Sequence, residues 1–189
     1  MLHRPRVARI LAVVDEAPNV KSLTFKDRLS AAARPGQFGM IWAPGVDETP
    51  MGLRPSGAGD IVTITVKDRG EGSRALVRKK TGDLIGLRGP YGTGFTHEGE
   101  RRVLMIAGGT GAIPLIALLR TLAPSGVQCS FVLGANTNRE LLFLGEIRRL
   151  STQTGGVFRI TTDDGSYGRK GLVTDALKDL LDAPLGIKA

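Results

Sequence analysis

The chain has 189 residues, with 26 Lys and Arg against 18 Asp and Glu, for a formal net charge of +8. At 41% hydrophobic and 23% charged residues it can build a core, which excludes wholesale disorder and a coiled coil. Its one cysteine, Cys129, excludes an internal disulfide, and with two histidines beside it the chain is short of the roughly four ligands of a Cys-rich zinc site or a self-contained iron–sulfur cluster.

Up to about residue 97, short apolar or alternating segments at 7–14, 20–25, 39–42, 61–66 and 84–87 recur between Gly- and Pro-rich turns. That spacing predicts a small antiparallel β barrel. One short helix is expected within it, with Ser73 as N-cap, a body over 74–80, and Thr81, Gly82 and Asp83 as the exit turn. From about residue 98 the rhythm changes. Strands at 103–107, 128–133 and 157–162 each precede a helical pattern, at 112–122, 140–150 and 174–181. Three β-then-α units in succession predict a doubly wound parallel sheet. Two domains are therefore expected, 1–97 and 98–189.

The strongest chemical signal follows the strand at 103–107, where Gly108, Gly109, Thr110 and Gly111 open a helix with Pro114 in its first turn. Glycines let backbone amides approach a diphosphate, and the helix start adds positive partial charge. The spacing is neither G-x-G-x-x-G nor a P-loop, so an anion cradle and a tight turn for close helix packing both stay open. A second turn, Gly70-Glu71-Gly72-Ser73, sits between a barrel strand and the short helix, with Lys67 and Arg74 nearby. It reads either as a second diphosphate site or as a plain helix cap.

Other residues read more simply. Cys129 lies in an apolar run and is expected to be a buried small hydrophobe, while His3 and His97 lie in polar, turn-like surroundings and are expected to be exposed. The basic residues are scattered and aromatics make up 5%, so nucleic acid is not the expected partner. The longest uncharged run, 103–119, is broken by glycines and Pro114, and the apolar stretch after Arg4, Arg6 and Arg9 spans only 10–14. Neither a membrane span nor a signal peptide is expected, and the expected location is the cytoplasm.

Several stretches, in order along nearly the whole chain, carry a family resemblance: Pro35-Gly36-Gln37-Phe38, the segment 42–51, Gly89-Pro90-Tyr91-Gly92-Thr93-Gly94-Phe95, the segment 107–114, Glu140-Leu141-Leu142-Phe143, and Thr162-Asp163-Asp164-Gly165-Ser166-Tyr167-Gly168. Together they resemble the ferredoxin reductase superfamily of flavin and pyridine-nucleotide electron-transfer proteins, and within it the electron-transfer subunits of dihydroorotate dehydrogenase. The resemblance implies FAD on the barrel, with the flavin-contacting motif falling on Thr49, Pro50, Met51 and Gly52, further contacts at Thr65, Val66 and Lys67, and the diphosphate on Gly72 and Ser73. It implies NAD(P) on Gly108, Gly109, Thr110, Gly111 and Pro114, with Asp163 and Asp164 as weaker candidates or turn formers. No catalytic acid or base is implied, because the cofactors carry the chemistry.

Two positions depart from the family pattern. Its arginine is Thr49 here, with Arg54 as a candidate substitute, and its hydroxyl-bearing residue is Gly52. The family's later strand, Cys-Gly-Pro motif and cysteine cluster have no counterpart before Ala189, so an incomplete sheet with the apolar strand 103–107 at an open edge is expected. The expected partner is a catalytic oxidoreductase subunit such as dihydroorotate dehydrogenase, or a second copy joined through that edge. No iron–sulfur cluster is expected on this chain. A non-catalytic remnant that binds a partner subunit is the alternative. The choice between NAD and NADP stays open, since Arg139 reads equally as a 2′-phosphate contact or a solvated charge.

Overall fold

The structure, a computed structural model, describes residues 3–96 and 99–182. His97 lies outside the described residues, and His3 is exposed. The chain divides into two compact units, Met1–Thr96 and His97–Ala189.

The first unit is built on an antiparallel sheet of seven strands: β1 (Arg6–Ala17), β2 (Val20–Lys26), β3 (Phe38–Trp42), β4 (Thr49–Gly52), β5 (Arg54–Pro55), β6 (Ile61–Lys67) and β7 (Leu84–Tyr91). Their order is β4-β3-β7-β1-β2-β6-β5. β1 turns a corner: Arg6 to Arg9 pair with β7, and from Ile10 onward the strand pairs with β2 through register shifts. Period-two alternation along it buries Ala8 and Ile10 and leaves Val7, Leu11 and Val14 exposed. Phe25, Leu23, Ile41, Ile64, Ile85 and Leu87 meet in one core, each contributing on the order of 1.5–3 kcal/mol through burial.

The stretch from Thr49 to Pro55 makes a second corner. As β4 it pairs with β3 and as β5 with β6, with Leu53 between them donating its N–H to the Gln37 carbonyl. No ladder joins β4 to β5 directly. The sheet is thus the expected antiparallel barrel in a form that does not close.

Two helices complete the unit. α1 (Arg28–Ala31), absent from the sequence expectation, starts at Asp27, whose carboxylate accepts the Ser30 N–H at 2.9 Å. Four residues are too few to show a helical period. α2 (Glu71–Val77) begins earlier than expected, with Gly70 rather than Ser73 as its N-cap. Ser73 is the third helical residue, and its Oγ turns back to accept the N–H groups of Arg69 and Gly70 at 2.8 and 3.0 Å.

The second unit has four parallel strands, β8 (Arg102–Gly108), β9 (Gln128–Ala135), β10 (Phe158–Thr162) and β11 (Arg169–Lys170), in the order β11-β10-β9-β8. α3 (Ala112–Leu122) spans the expected residues, and α3 packs with α4 (Leu144–Gln153) against β8, β9 and β10. Ala176 and Leu180 of α5 (Val173–Asp182) pack against Val132 of β9. Covered on both faces, β9 buries Cys129, Phe131, Val132 and Leu133 almost entirely. Burial pushes the Cys129 thiol up, as befits a small hydrophobe.

α4 was expected from residue 140 but starts at Leu144. A 3₁₀ turn takes Asn138–Glu140, Leu141 and Leu142 then enter the core, and Phe143 adopts φ +57°. Burial of the two leucines overrides the helical pattern. β8 forms the outer strand of the sheet among the described residues, with Ile106 exposed. None of the described helices is long and apolar enough to cross a membrane.

Candidate functional site

The turn after β8 is built from bare backbone. Gly108 ends the strand in extended conformation, Gly109 takes φ +52°, and a 3₁₀ turn over Gly109–Gly111 runs into α3. Buried Ala112 and Ile113 anchor the helix start, and Pro114 occupies its first turn, where a missing N–H costs nothing. A Cβ placed on Gly108, Gly109 or Gly111 would have nothing within 4 Å. Close packing of helix on strand would have put neighbours there. Open space beside Gly108, Gly109 and Gly111 at a helix start leaves room for an anion held by amides.

The segments that line the ends of β9 and β10 lie at the same, C-terminal end of the parallel sheet. Arg139 is exposed in the turn after β9, and Asp163 is exposed after β10. Asp164 shapes its loop: its carboxylate accepts the Ser166 hydroxyl at 2.6 Å and the Ser166 N–H at 2.9 Å, which holds it below the usual carboxylate range. The Ser166 Oγ in turn accepts the Asn138 N–H at 2.8 Å and ties the two loops together. In open α/β sheets ligands bind at this end of the strands.

In the first unit, three separate stretches converge. β5 pairs Arg54 with Thr63 and Pro55 with Val62. Continued in the same antiparallel register, that ladder would set Gly52 opposite Thr65, Met51 opposite Val66 and Pro50 opposite Lys67. It stops short, because the chain leaves β6 at Leu53 to join β3. β4 and the end of β6 therefore stay close without ladder pairing, and a seam of main-chain polar groups lies between them.

The side chains around this seam have fixed occupations. Thr65 and Val66 are buried, and the Thr65 hydroxyl lies 2.8 Å from the Ser22 Oγ. Met51 packs against the core, Pro50 is exposed, and Lys67 is half-buried at the strand end. A Cβ on Gly72 would collide with the Thr49 hydroxyl and come within 3.1 Å of the Asp47 carbonyl oxygen. The missing side chain of Gly72 thus seats α2 against β4. The Ser73 hydroxyl is taken up by the cap.

Arg54, the candidate substitute for the arginine missing at Thr49, faces the interior. It is buried, and its guanidinium donates to the Ser22 Oγ at 3.2 Å. A pair that sequence reading missed lies closer: Arg88 of β7 grips Glu48, next to Thr49, through Nε at 2.7 Å and a second, bidentate contact. That guanidinium holds the Glu48 carboxyl below its ordinary range. Forty residues separate the partners, and no local pattern announces the contact. Two of the motif stretches also meet, the Phe95 N–H donating to the Pro35 carbonyl and Gln37 Nε2 to the Gly92 carbonyl, at 2.8 and 2.6 Å.

Comparison with known proteins places these features in a family. Residues 105–186 match the family described as Oxidoreductase NAD-binding domain. The chain is 38% identical over 180 residues to a Methanocaldococcus jannaschii protein named as dihydroorotate dehydrogenase B (NAD(+)), electron transfer subunit, an alignment covering 95% of this chain and 65% of that one. It is 37% identical to the Thermococcus kodakarensis protein of the same name, over 92% of this chain and 69% of the relative. A solved NADH-dependent reduced ferredoxin-NADP oxidoreductase superposes with a TM-score of 0.82 at 30% identity, covering 94% of this chain and 64% of that chain. The chain thus spans about two thirds of the length of the curated relatives it matches. On this sequence identity the chain belongs to the family of dihydroorotate dehydrogenase B electron transfer subunits.

Proposed function

We propose that the chain binds FAD on its antiparallel unit and NAD(P) on its α/β unit, and passes electrons between the pyridine nucleotide and a partner oxidoreductase subunit. The partner is dihydroorotate dehydrogenase of pyrimidine biosynthesis, acting in the cytoplasm. The observation that carries this reading is the turn at Gly108, Gly109 and Gly111, where an added Cβ would have nothing within 4 Å among the described residues. Backbone amides there, with Thr110 in the turn and Pro114 fixing the helix start, hold the diphosphate of the nucleotide.

On the antiparallel unit, the unpaired edges of β4 and of β6 at Thr65, Val66 and Lys67 offer main-chain donors and acceptors to the flavin ring. Thr49, Pro50, Met51 and Gly52 form one wall, and the start of α2 at Gly72 and Ser73 takes the diphosphate through amides rather than through the Ser73 hydroxyl. The cofactors supply hydride exchange and onward transfer of single electrons; the chain supplies alignment and exclusion of water. Cys129, buried in β9, takes no part.

A second reading, a partner-binding module without productive flavin, is favoured by Gly52, which sets no hydroxyl at the seam, and by the capped Ser73. Visible absorbance of the purified protein after incubation with FAD separates the two. Flavin bands that survive gel filtration, and bleach on adding NADH, are expected. Their absence overturns the electron-transfer reading and leaves the module.

A further inference from the structure

At the edge of the parallel sheet opposite β8, a groove of about 570 Å³ runs between α4, β10 and the segment around β11. β11 pairs with β10 only at Thr161 and Thr162, so the first half of β10 borders the groove. Its walls carry three arginines and two aromatics: Arg148, Arg159, Arg169, Phe158 and Tyr167. The Arg148 guanidinium lies over the Phe158 ring, 5.8 Å from its centre, and donates to the Tyr167 Oη at 2.8 Å. Arg159 donates to its neighbour's carbonyl at 3.3 Å. Arg169 is held by Asp179 and by the Asp175 carbonyl.

Two of the three cations therefore face the groove without a counter-charge. Among the described residues, neither Arg148 nor Arg159 forms an ion pair with a carboxylate. Arg148 is held on two neutral groups, a ring face and a phenol, which orient it without neutralising it. Arginine, tyrosine and phenylalanine so arranged are the residue types that dominate protein–protein binding energy. Small-molecule pockets enclose most of their ligand, whereas Arg148, Arg159 and Tyr167 are exposed and the groove is open.

We infer that this groove docks an extended acidic segment of a partner protein, with carboxylates on Arg148 and Arg159 and an apolar side chain against Phe158 and Tyr167. The site lies at the sheet edge opposite the glycine turn after β8. The probe is a fluorescently labelled synthetic peptide of Glu and Leu residues, titrated with the full chain and followed by anisotropy. Replacing both arginines, Arg148→Glu with Arg159→Glu, should weaken binding by about tenfold or more. The exposed pair Arg28→Glu with Lys80→Glu, of equal charge change, should alter it by less than about twofold. Arg159→Glu alone, at an exposed position without structural bonds to other elements, should reproduce a large part of the loss in a folded protein. Equal weakening by both double variants, absence of peptide binding, or tighter binding of a single-stranded DNA of matched charge at the same arginines would each overturn the inference.

Discussion

Two helices in this molecule start at glycine-rich turns, and Gly72 at one uses its missing side chain in the opposite way to Gly108, Gly109 and Gly111 at the other. At α2, the space beside Gly72 is filled by protein, the Thr49 hydroxyl and the Asp47 carbonyl, and the Ser73 hydroxyl is spent on the cap. At α3, the space beside Gly108, Gly109 and Gly111 is empty to 4 Å. A glycine states only that a side chain is unwelcome. Whether a neighbouring strand or a ligand is the reason depends on what the fold brings there.

Gly72→Ala tests the first half of this contrast and should have the largest effect. The added methyl meets a strand hydroxyl and a main-chain oxygen that cannot both withdraw, so α2 must shift from β4 at a cost of about 2 kcal/mol. A matching drop in the urea midpoint is expected, with flavin retention lost alongside. An unchanged midpoint would show that the seat is slack and that the two turns are alike after all.

Gly108→Ala and Gly111→Ala test the other half. Both residues have φ values open to any amino acid, −111° and −61°, and both face open space. Folding stability should change by less than about 1 kcal/mol, or rise slightly as the unfolded chain loses freedom. Affinity for the pyridine nucleotide should fall about tenfold, equivalent to about 1.4 kcal/mol, because the methyl stands where the diphosphate approaches. Calorimetric titration with NADH beside a thermal melt reads both quantities. Weaker folding with unchanged affinity would make this turn, too, a matter of packing.

The legibility of the two turns in the sequence differs for the same reason. The strand, glycine turn and helix at 102–122 are local, and hydrophobic periodicity with a terminal proline marks them along the chain. The seam between β4 and β6 depends on pairing between residues distant in sequence and on the parting of a ladder at Leu53, which no local pattern encodes. β4 and β5 consequently escaped the strand pattern, being short and interrupted by Pro50, Gly52 and Pro55. Ser73 looked like an N-cap because serine before a helical run commonly is one. Its hydroxyl does cap backbone amides, from inside the first turn. The arginine groove at β10 was invisible for another reason: Arg148, Arg159 and Arg169 are scattered among 26 basic residues, and the sheet edge gathers them.

Ser73→Ala sharpens the α2 side further. Loss of the cap should cost about 1 kcal/mol of stability. Flavin affinity should then fall only as far as the helix start loosens, and Ser73→Thr, which keeps the hydroxyl, should restore stability and affinity together. A variant with intact stability and lost flavin would mean that the hydroxyl serves the ligand instead of the cap.

Acid stability offers the finest comparison, between two carboxylates that each accept a main-chain N–H. Asp27 is partly buried: desolvation raises its pKa, but the bonds from Arg6 at 2.8 and 2.9 Å and from Ser30 outweigh that and hold it below its ordinary value. Asp164 is likewise lowered, by Ser166, yet stands in full solvent where such bonds stabilise little. A folded-state pKa below the unfolded one contributes stability that is complete above the unfolded value and is lost as pH falls through the folded one. The Arg6–Asp27 clasp, which joins β1 to α1 and through the Gly89 carbonyl to β7, should therefore weaken below about pH 4. Asp27→Asn should cost ~0.5–1 kcal/mol at neutral pH and nothing further in acid, so that its urea midpoint approaches that of the unmodified chain as pH falls below the ordinary carboxylate range. Asp164→Asn should follow the unmodified chain at both pH values. If the Asp27→Asn deficit instead persists undiminished in acid, the clasp acts through shape and not through charge, and the antiparallel unit is as indifferent to protonation at Asp27 as the α/β unit is at Asp164.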